Sequence, residues 1–99
     1  MTARDDDVGP RGVVELAAFT ASGDRVMEQT LSIAAYYEEL HPIIDDAGEF
    51  RAQRLIRRVA GRIYGFDGEL DQDFENEYDV NGSYVRGRII FSDGTIVEN

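Results

Sequence analysis

The side chains in this sequence best equipped for chemistry are carboxylates and guanidiniums, and each set is spaced. From residue 67 to 79 every odd position is acidic: Asp67, Glu69, Asp71, Asp73, Glu75, Glu77 and Asp79. Leu70, Phe74 and Tyr78 fall among the even positions. Successive side chains of a β-strand point to opposite faces, so the run predicts a strand with one acidic and one apolar face. Carboxylates repeated about every 6.6 Å along such a face could imitate a track of phosphates. Calcium binding would need a loop with glycine at its sixth position and glutamate at its twelfth. Counting from Asp67 those positions hold Gln72 and Tyr78, and counting from Asp71 they hold Asn76 and Gly82. Neither frame fits, and no metal site is expected.

The guanidiniums gather just upstream, at Arg51, Arg54, Arg57, Arg58 and Arg62. Arginine pairs with carboxylates and phosphates in a bidentate fork, so a clustered set can grip either. Two charged binding faces are therefore expected. One is acidic, carried by Asp67, Glu69, Asp71, Asp73 and Asp79. The other is basic, carried by Arg51, Arg54, Arg58 and Arg62 on a helix. With the helix packed on the apolar side of the sheet, its arginines would point away from the acids, giving a particle basic on one side and acidic on the other.

Catalytic constellations are thin. The single histidine, His41, stands beside a proline. With Asp45 and Asp46 it makes at most a weak acid–base or metal cluster. Tyr36, Tyr37 and Tyr64 are expected along the core edge, or else around a small-molecule pocket with His41. Cysteine is absent, which removes thiolate chemistry and disulfides. Gly61, Gly65 and Gly68 do not have the spacing of a phosphate-binding loop. No catalytic residue, cofactor or enzymatic activity is expected.

The elements that would position these groups follow from periodicity. Val13-Val-Glu-Leu-Ala-Ala-Phe19 reads as a strand, followed by a Ser22-Gly23 turn. Residues 25–33 read as a second strand, with a short helical turn over 35–41 broken by His41-Pro42. Ala52, Leu55, Ile56, Val59, Ala60 and Ile63 follow helical spacing, so the main helix is expected over 47–64, capped by Asp45 or Asp46 and stopped at Gly65. Asn81-Gly82 predicts a two-residue hairpin turn. That turn sets Tyr78 opposite Val85, Glu77 opposite Arg86, Glu75 opposite Arg88 and Phe74 opposite Ile89. A further turn at Ser92-Asp-Gly94-Thr95 would place Phe91 opposite Ile96 and Ile90 opposite Val97. The three-stranded meander over 72–80, 83–91 and 95–98 buries Phe74, Tyr78, Val85, Ile89, Phe91 and Ile96. The stretch 82–94, Gly-Ser-Tyr-Val-Arg-Gly-Arg-Ile-Ile-Phe-Ser-Asp-Gly, resembles a single MORN-type hairpin. It lacks the second glycine of the usual Gly-x-Gly and does not recur, and it is read as a generic hairpin.

The expected architecture is one α+β domain over residues 11–99, with an antiparallel sheet of about five strands against one main helix and a polar tail over 1–10. The chain has 99 residues, 42% of them hydrophobic, and a net charge of −10. All ten basic residues are arginine, a pattern of GC-rich or salt-adapted genomes. The charge disfavours direct binding to nucleic acid or to anionic membrane. No apolar run approaches the roughly 20 residues of a membrane span, and a cytoplasmic location is the default. The expected function is a small non-enzymatic module that binds a protein partner through its charged faces. Self-association, an acidic nucleic-acid mimic that inhibits a nucleic-acid-binding protein, and a ligand pocket near His41 are the alternatives.

Overall fold

The computed structural model describes residues 11–44 and 47–98. The tail expected over 1–10 and the capping residues Asp45 and Asp46 lie outside them. The chain forms β1 (Val13–Phe19), β2 (Arg25–Ser32), a helical segment α1 (residues 33–44), α2 (Gly48–Gln53), β3 (Arg58–Tyr64), β4 (Leu70–Tyr78), β5 (Tyr84–Phe91) and β6 (Ile96–Glu98). The strands make one antiparallel sheet in the order β2-β1-β3-β4-β5-β6. The α+β class and antiparallel sheet stand as the sequence predicts, with six strands in place of five. No helix among the described residues is long and apolar enough to cross a membrane.

The additional strand comes from the stretch expected to be helical. Residues 58–64 are β3, and only Gly48–Gln53 of the expected helix 47–64 is helical. Two local features explain the difference. First, α2 ends in a left-handed cap: Leu55 takes φ 58°, Leu55 N–H donates to the Ala52 carbonyl, and Ile56 N–H donates to the Arg51 carbonyl at 2.9 Å. This pair of bonds closes the helix and turns the chain outward. Second, Val59, Gly61 and Ile63 alternate with Arg58, Ala60, Arg62 and Tyr64, and the first set is buried. A Cβ on Gly61 would collide with the Phe74 ring and press on Leu16, so glycine lets β1, β3 and β4 close over the core.

The main helix is instead α1. Ser32 caps it, its Oγ accepting from Ala35 N–H at 3.1 Å. The helix widens into a π turn over Tyr36–Leu40, where His41 N–H reaches the Tyr36 carbonyl, and it continues through Pro42 to Ile44. His41 is helical (φ −56°, ψ −45°), so the break expected before Pro42 does not occur. A proline ring clashes with the carbonyl four residues back, and the wide turn relieves that contact. Tyr36, Leu40 and Ile44 of α1 pack with Ile56 onto Val14, Leu16 and Ala18 of β1, Val59 and Ile63 of β3, and Phe74 and Tyr78 of β4. Burying a side chain of this size stabilises the fold by about 1.5–3 kcal/mol.

All four hairpins use one turn design. Gly23, Gly68, Gly82 and Gly94 have φ between 80° and 90°, and each donates its N–H to the carbonyl three residues earlier. The residue that accepts also donates, to the carbonyl just after the glycine. This is a type I turn followed by a glycine bulge, one residue longer than the turn expected at Asn81-Gly82. Asn81 has no positive φ, and Tyr78 therefore faces Tyr84 rather than Val85. The pairs 77–86, 75–88 and 74–89 form as predicted. The β5–β6 pairing is displaced by one residue, to Ile90 with Ile96 and Ile89 with Val97. Such a slip moves a strand's side chains to the other face. Ile96 leaves the predicted core and is 56% exposed, and Val85 is exposed as well.

Candidate functional site

Helical elements cover one face of the sheet, and the other face is open. Its side chains come from alternate residues of every strand; a short row of Ser32, Val13, Tyr64 and Leu70 lies at one end, and three rows carry the charges. The first row runs Phe19, Arg58, Glu77, Arg86. The second runs Glu28, Ala17, Ala60, Glu75, Arg88, Glu98. The third runs Thr30, Glu15, Arg62, Asp73, Ile90, Ile96. Acids on β4 are thus bracketed by arginines on β3 and β5. Arg58 Nη1 meets Glu75 Oε2 at 2.7 Å, and Arg62 Nε meets Asp73 Oδ2 at 3.6 Å. Arg86 pairs with Glu77 through two nitrogens, and Arg25 pairs with Glu28 on β2.

The methyl groups of Ala17 and Ala60, side by side in the middle row, floor a trough of about 820 Å³. Arg25, Arg58 and Arg62 rim it together with Glu15, Glu28 and Glu75. The Arg58 guanidinium also lies 4.1 Å over the Phe19 ring, which fixes its stem beside the hollow. Arg88 is the exception in the lattice: it stands between Glu75, which is taken by Arg58, and Glu98, and among the described residues it has no ion pair.

Charge states follow from these contacts. The hydrogen bond from Arg86 holds the Glu77 carboxyl below the usual carboxylate range, and the same bond raises Arg86. Arg62 is raised by its hydrogen bond with Tyr64 and then by Asp73. In the β5–β6 turn, hydrogen bonds from Thr95 lower Asp93. The shifts of Glu77, Arg86 and Arg62 favour the ionised forms that make up the lattice.

The acids singled out in the sequence do not share one face. Of Asp67, Glu69, Asp71, Asp73 and Asp79, only Asp73 stands in the open lattice. Asp67 Oδ1 accepts from Glu69 N–H at 3.0 Å within the β3–β4 turn. Asp79 Oδ1 accepts from Asn81 and Ser83 N–H, each at 2.9 Å. Asp71 sits where the β3–β4 register slips, and its carbonyl accepts from Ser92 N–H. The alternation of seven acids thus resolves into two turns, a bulge and three paired carboxylates.

The basic helix face is likewise dispersed. Arg51 is 4% exposed, with Nε and Nη2 donating to the Gly82 carbonyl at 2.8 and 2.6 Å. Its Nη1 donates to the Ile44 carbonyl, and its guanidinium lies 4.1 Å over the Tyr78 ring. Arg54 lies over Phe50 at 3.9 Å. Arg58 and Arg62 belong to β3 and pair with the β4 acids, which removes the separation of basic helix from acidic sheet. The exposed acids Glu38 and Glu39 are on α1 instead. His41 contacts Tyr36 and Tyr37 with ring centroids 5.6 and 5.5 Å away, whereas Tyr64 hydrogen-bonds Arg62 on the open face. The three do not line a common pocket.

Sequence reasoning missed Glu15, Ala17, Arg25, Glu28 and Ala60, the part of the trough that β1, β2 and β3 supply. The available signal was Glu15, a lone acid inside an apolar strand, together with the strict alternation of 58–64. No family model, curated protein or solved structure matches the chain.

Proposed function

We propose that this protein is a small, acidic, non-enzymatic interaction module whose open sheet face docks a protein partner. The observation that carries the reading is the trough over Ala17 and Ala60, with its rim of alternating carboxylates and guanidiniums. Such a surface offers a small apolar seat for one anchoring side chain and charges of both signs around it. Protein interfaces have that layout, with a desolvated centre and a polar rim that sets orientation. A nucleic-acid ligand would call for one sign of charge across the face, and a catalytic step would call for an acid or base left poised for a substrate. The open face carries an ion-paired lattice instead.

The test is affinity capture from lysate, with and without nuclease, with three proteins: the native chain, Arg58→Glu/Arg62→Glu on β3, and Glu38→Gln/Glu39→Gln on α1. A protein captured by the native chain and by the α1 variant, but lost with the β3 variant, supports docking on the open face. Capture that follows α1 instead, or that yields nucleic acid alone, overturns it.

A further inference from the structure

The charge order of the open face is self-complementary under one symmetry operation. The boundary between β3 and β4 divides the six strands equally. A two-fold axis along the strands at that boundary lays β3 on β4 of a second copy, and β1 on β5, with each cross-strand row falling on itself. Arg58 then stands over Glu77 of the second copy, and Arg62 over Asp73. Glu75 of one copy covers Ala60 of the other, and Arg88 enters the hollow over Ala17, between Glu15 and Glu28. Arg88, which has no ion pair among the described residues of its own chain, thus meets two. The fit is incomplete in two places, where Glu28 falls near Glu98 and where Glu15 falls over the apolar Ile90.

The alternative face-to-face arrangement, with the axis across the strands, fails on the same residues. It sets Arg58 over Arg62, Glu77 over Asp73 and Glu75 over itself, like over like. A symmetric dimer presents the same patch twice, so this distinction decides the geometry. The whole-chain charge points the same way. The chain carries −10, but the open face has six carboxylates against five arginines. Two copies therefore approach with least repulsion through this face.

We propose that the open face of the free protein is covered by the open face of a second copy, paired about a two-fold axis parallel to the strands between β3 and β4. The inference rests on the reading of that face as a docking surface and names the occupant it takes when no other partner is present. Strands about 4.8 Å apart and rows spanning five residues give a patch of roughly 24 by 15 Å. That is about 360 Å² per copy, below the roughly 800 Å² per partner of a stable interface, so the pair is weak, reversible and dependent on concentration.

Light scattering on size-separated protein over a concentration series should move from the chain mass of 11.1 kDa toward twice that value. Two reversed variants then test the geometry. Arg58→Glu/Arg62→Glu makes β3 and β4 both acidic, and Asp73→Arg/Glu77→Arg makes both basic. Each alone should stay monomeric, and an equimolar mixture should regain the doubled mass. Arg88→Glu, which breaks no ion pair among the described residues, should raise the dissociation constant at least about tenfold; this variant serves where the reversed chains do not fold. A native chain that stays at 11.1 kDa throughout overturns the proposal. So do folded reversed variants that dimerise as the native chain does, or an Arg88→Glu chain that dimerises unchanged. Failure here is distinguishable from failure of the docking reading. Carbodiimide joins carboxylates to primary amines, and this chain has no lysine, so with its terminal amine blocked a coupled product whose yield follows the open-face charges reports a different protein on the same face.

Discussion

Two arginines seven residues apart show how differently the two sides of this sheet are built. Arg51 is buried on the helical side, with its nitrogens on the carbonyls of Gly82 and Ile44 and its plane on the Tyr78 ring. Arg58 is half-buried on the open side, against Glu75 and Phe19. The first holds together elements far apart in sequence, because it ties the β4–β5 turn to α1 and α2. The second belongs to a lattice in which every charge has alternative neighbours. One side is specified by shape and leaves little room for change. The other is specified by charge order and is open to rearrangement.

Three stability measurements would break or sharpen that contrast. The largest effect is expected at Arg51→Met, which keeps the apolar stem but leaves two buried carbonyls without their donors. Denaturant unfolding should show a loss of about 2–4 kcal/mol, and a loss below 1 kcal/mol would place Arg51 among the exchangeable charges. Next comes Gly61→Ala. Its methyl group meets the Phe74 ring rather than backbone, so the ring can shift at a cost of about 1–3 kcal/mol. Thermal unfolding read alongside the near-ultraviolet signal of the aromatic residues checks both the cost and the ring movement.

The smallest effect belongs to Arg86→Ala on the open face, and its informative readout is pH. Glu77 is lowered in the folded protein by Arg86. Its contribution is therefore present above the ordinary carboxylate range, and it is lost as pH falls through the lowered value. The native chain should lose more stability than Arg86→Ala between about pH 5 and pH 3, with the two curves parallel at neutral pH. Curves that stay parallel through the acid range would mean that the pair is solvated and contributes nothing.

The same contrast explains what could be read from the sequence. Strands with alternation and a glycine turn were legible: β1, β2, β4 and β5 sit within about two residues of their expected limits. So were the three pairs linking β4 to β5. The stretch 47–64 was misread because positions four apart share a face on a helix and also on a strand. Arg58 with Arg62, and Val59 with Ile63, satisfy both periods. Gly61 inside the supposed helix, flanked by β-branched Val59 and Ile63, was the warning. The left-handed turn at Leu55 had no sequence signal, since glycine or asparagine is the usual residue there. Similarly, the acid run could not show that Asp67 and Asp79 satisfy turn amides, because a carboxylate in a strand and one in a turn look alike in a list of residues. The open-face trough was hidden for a simpler reason. Its floor joins β1 to β3, neighbours brought together only after β2 and both helices have intervened.

That seam has a kinetic meaning. Each of the other four strand pairs is a hairpin closed by a five-residue turn, and hairpins of this kind form in microseconds. The β1–β3 pairing instead joins Phe19 to Arg58 and Val13 to Tyr64, with α1 packed across it. Two locally encoded pieces, the β1–β2 hairpin and the β3–β6 meander, must search for each other through a long loop before the core can close. Closing that pairing carries the largest loop-closure cost in the sheet, and substitutions at Leu16 and Gly61, which face each other across it, are expected to slow folding.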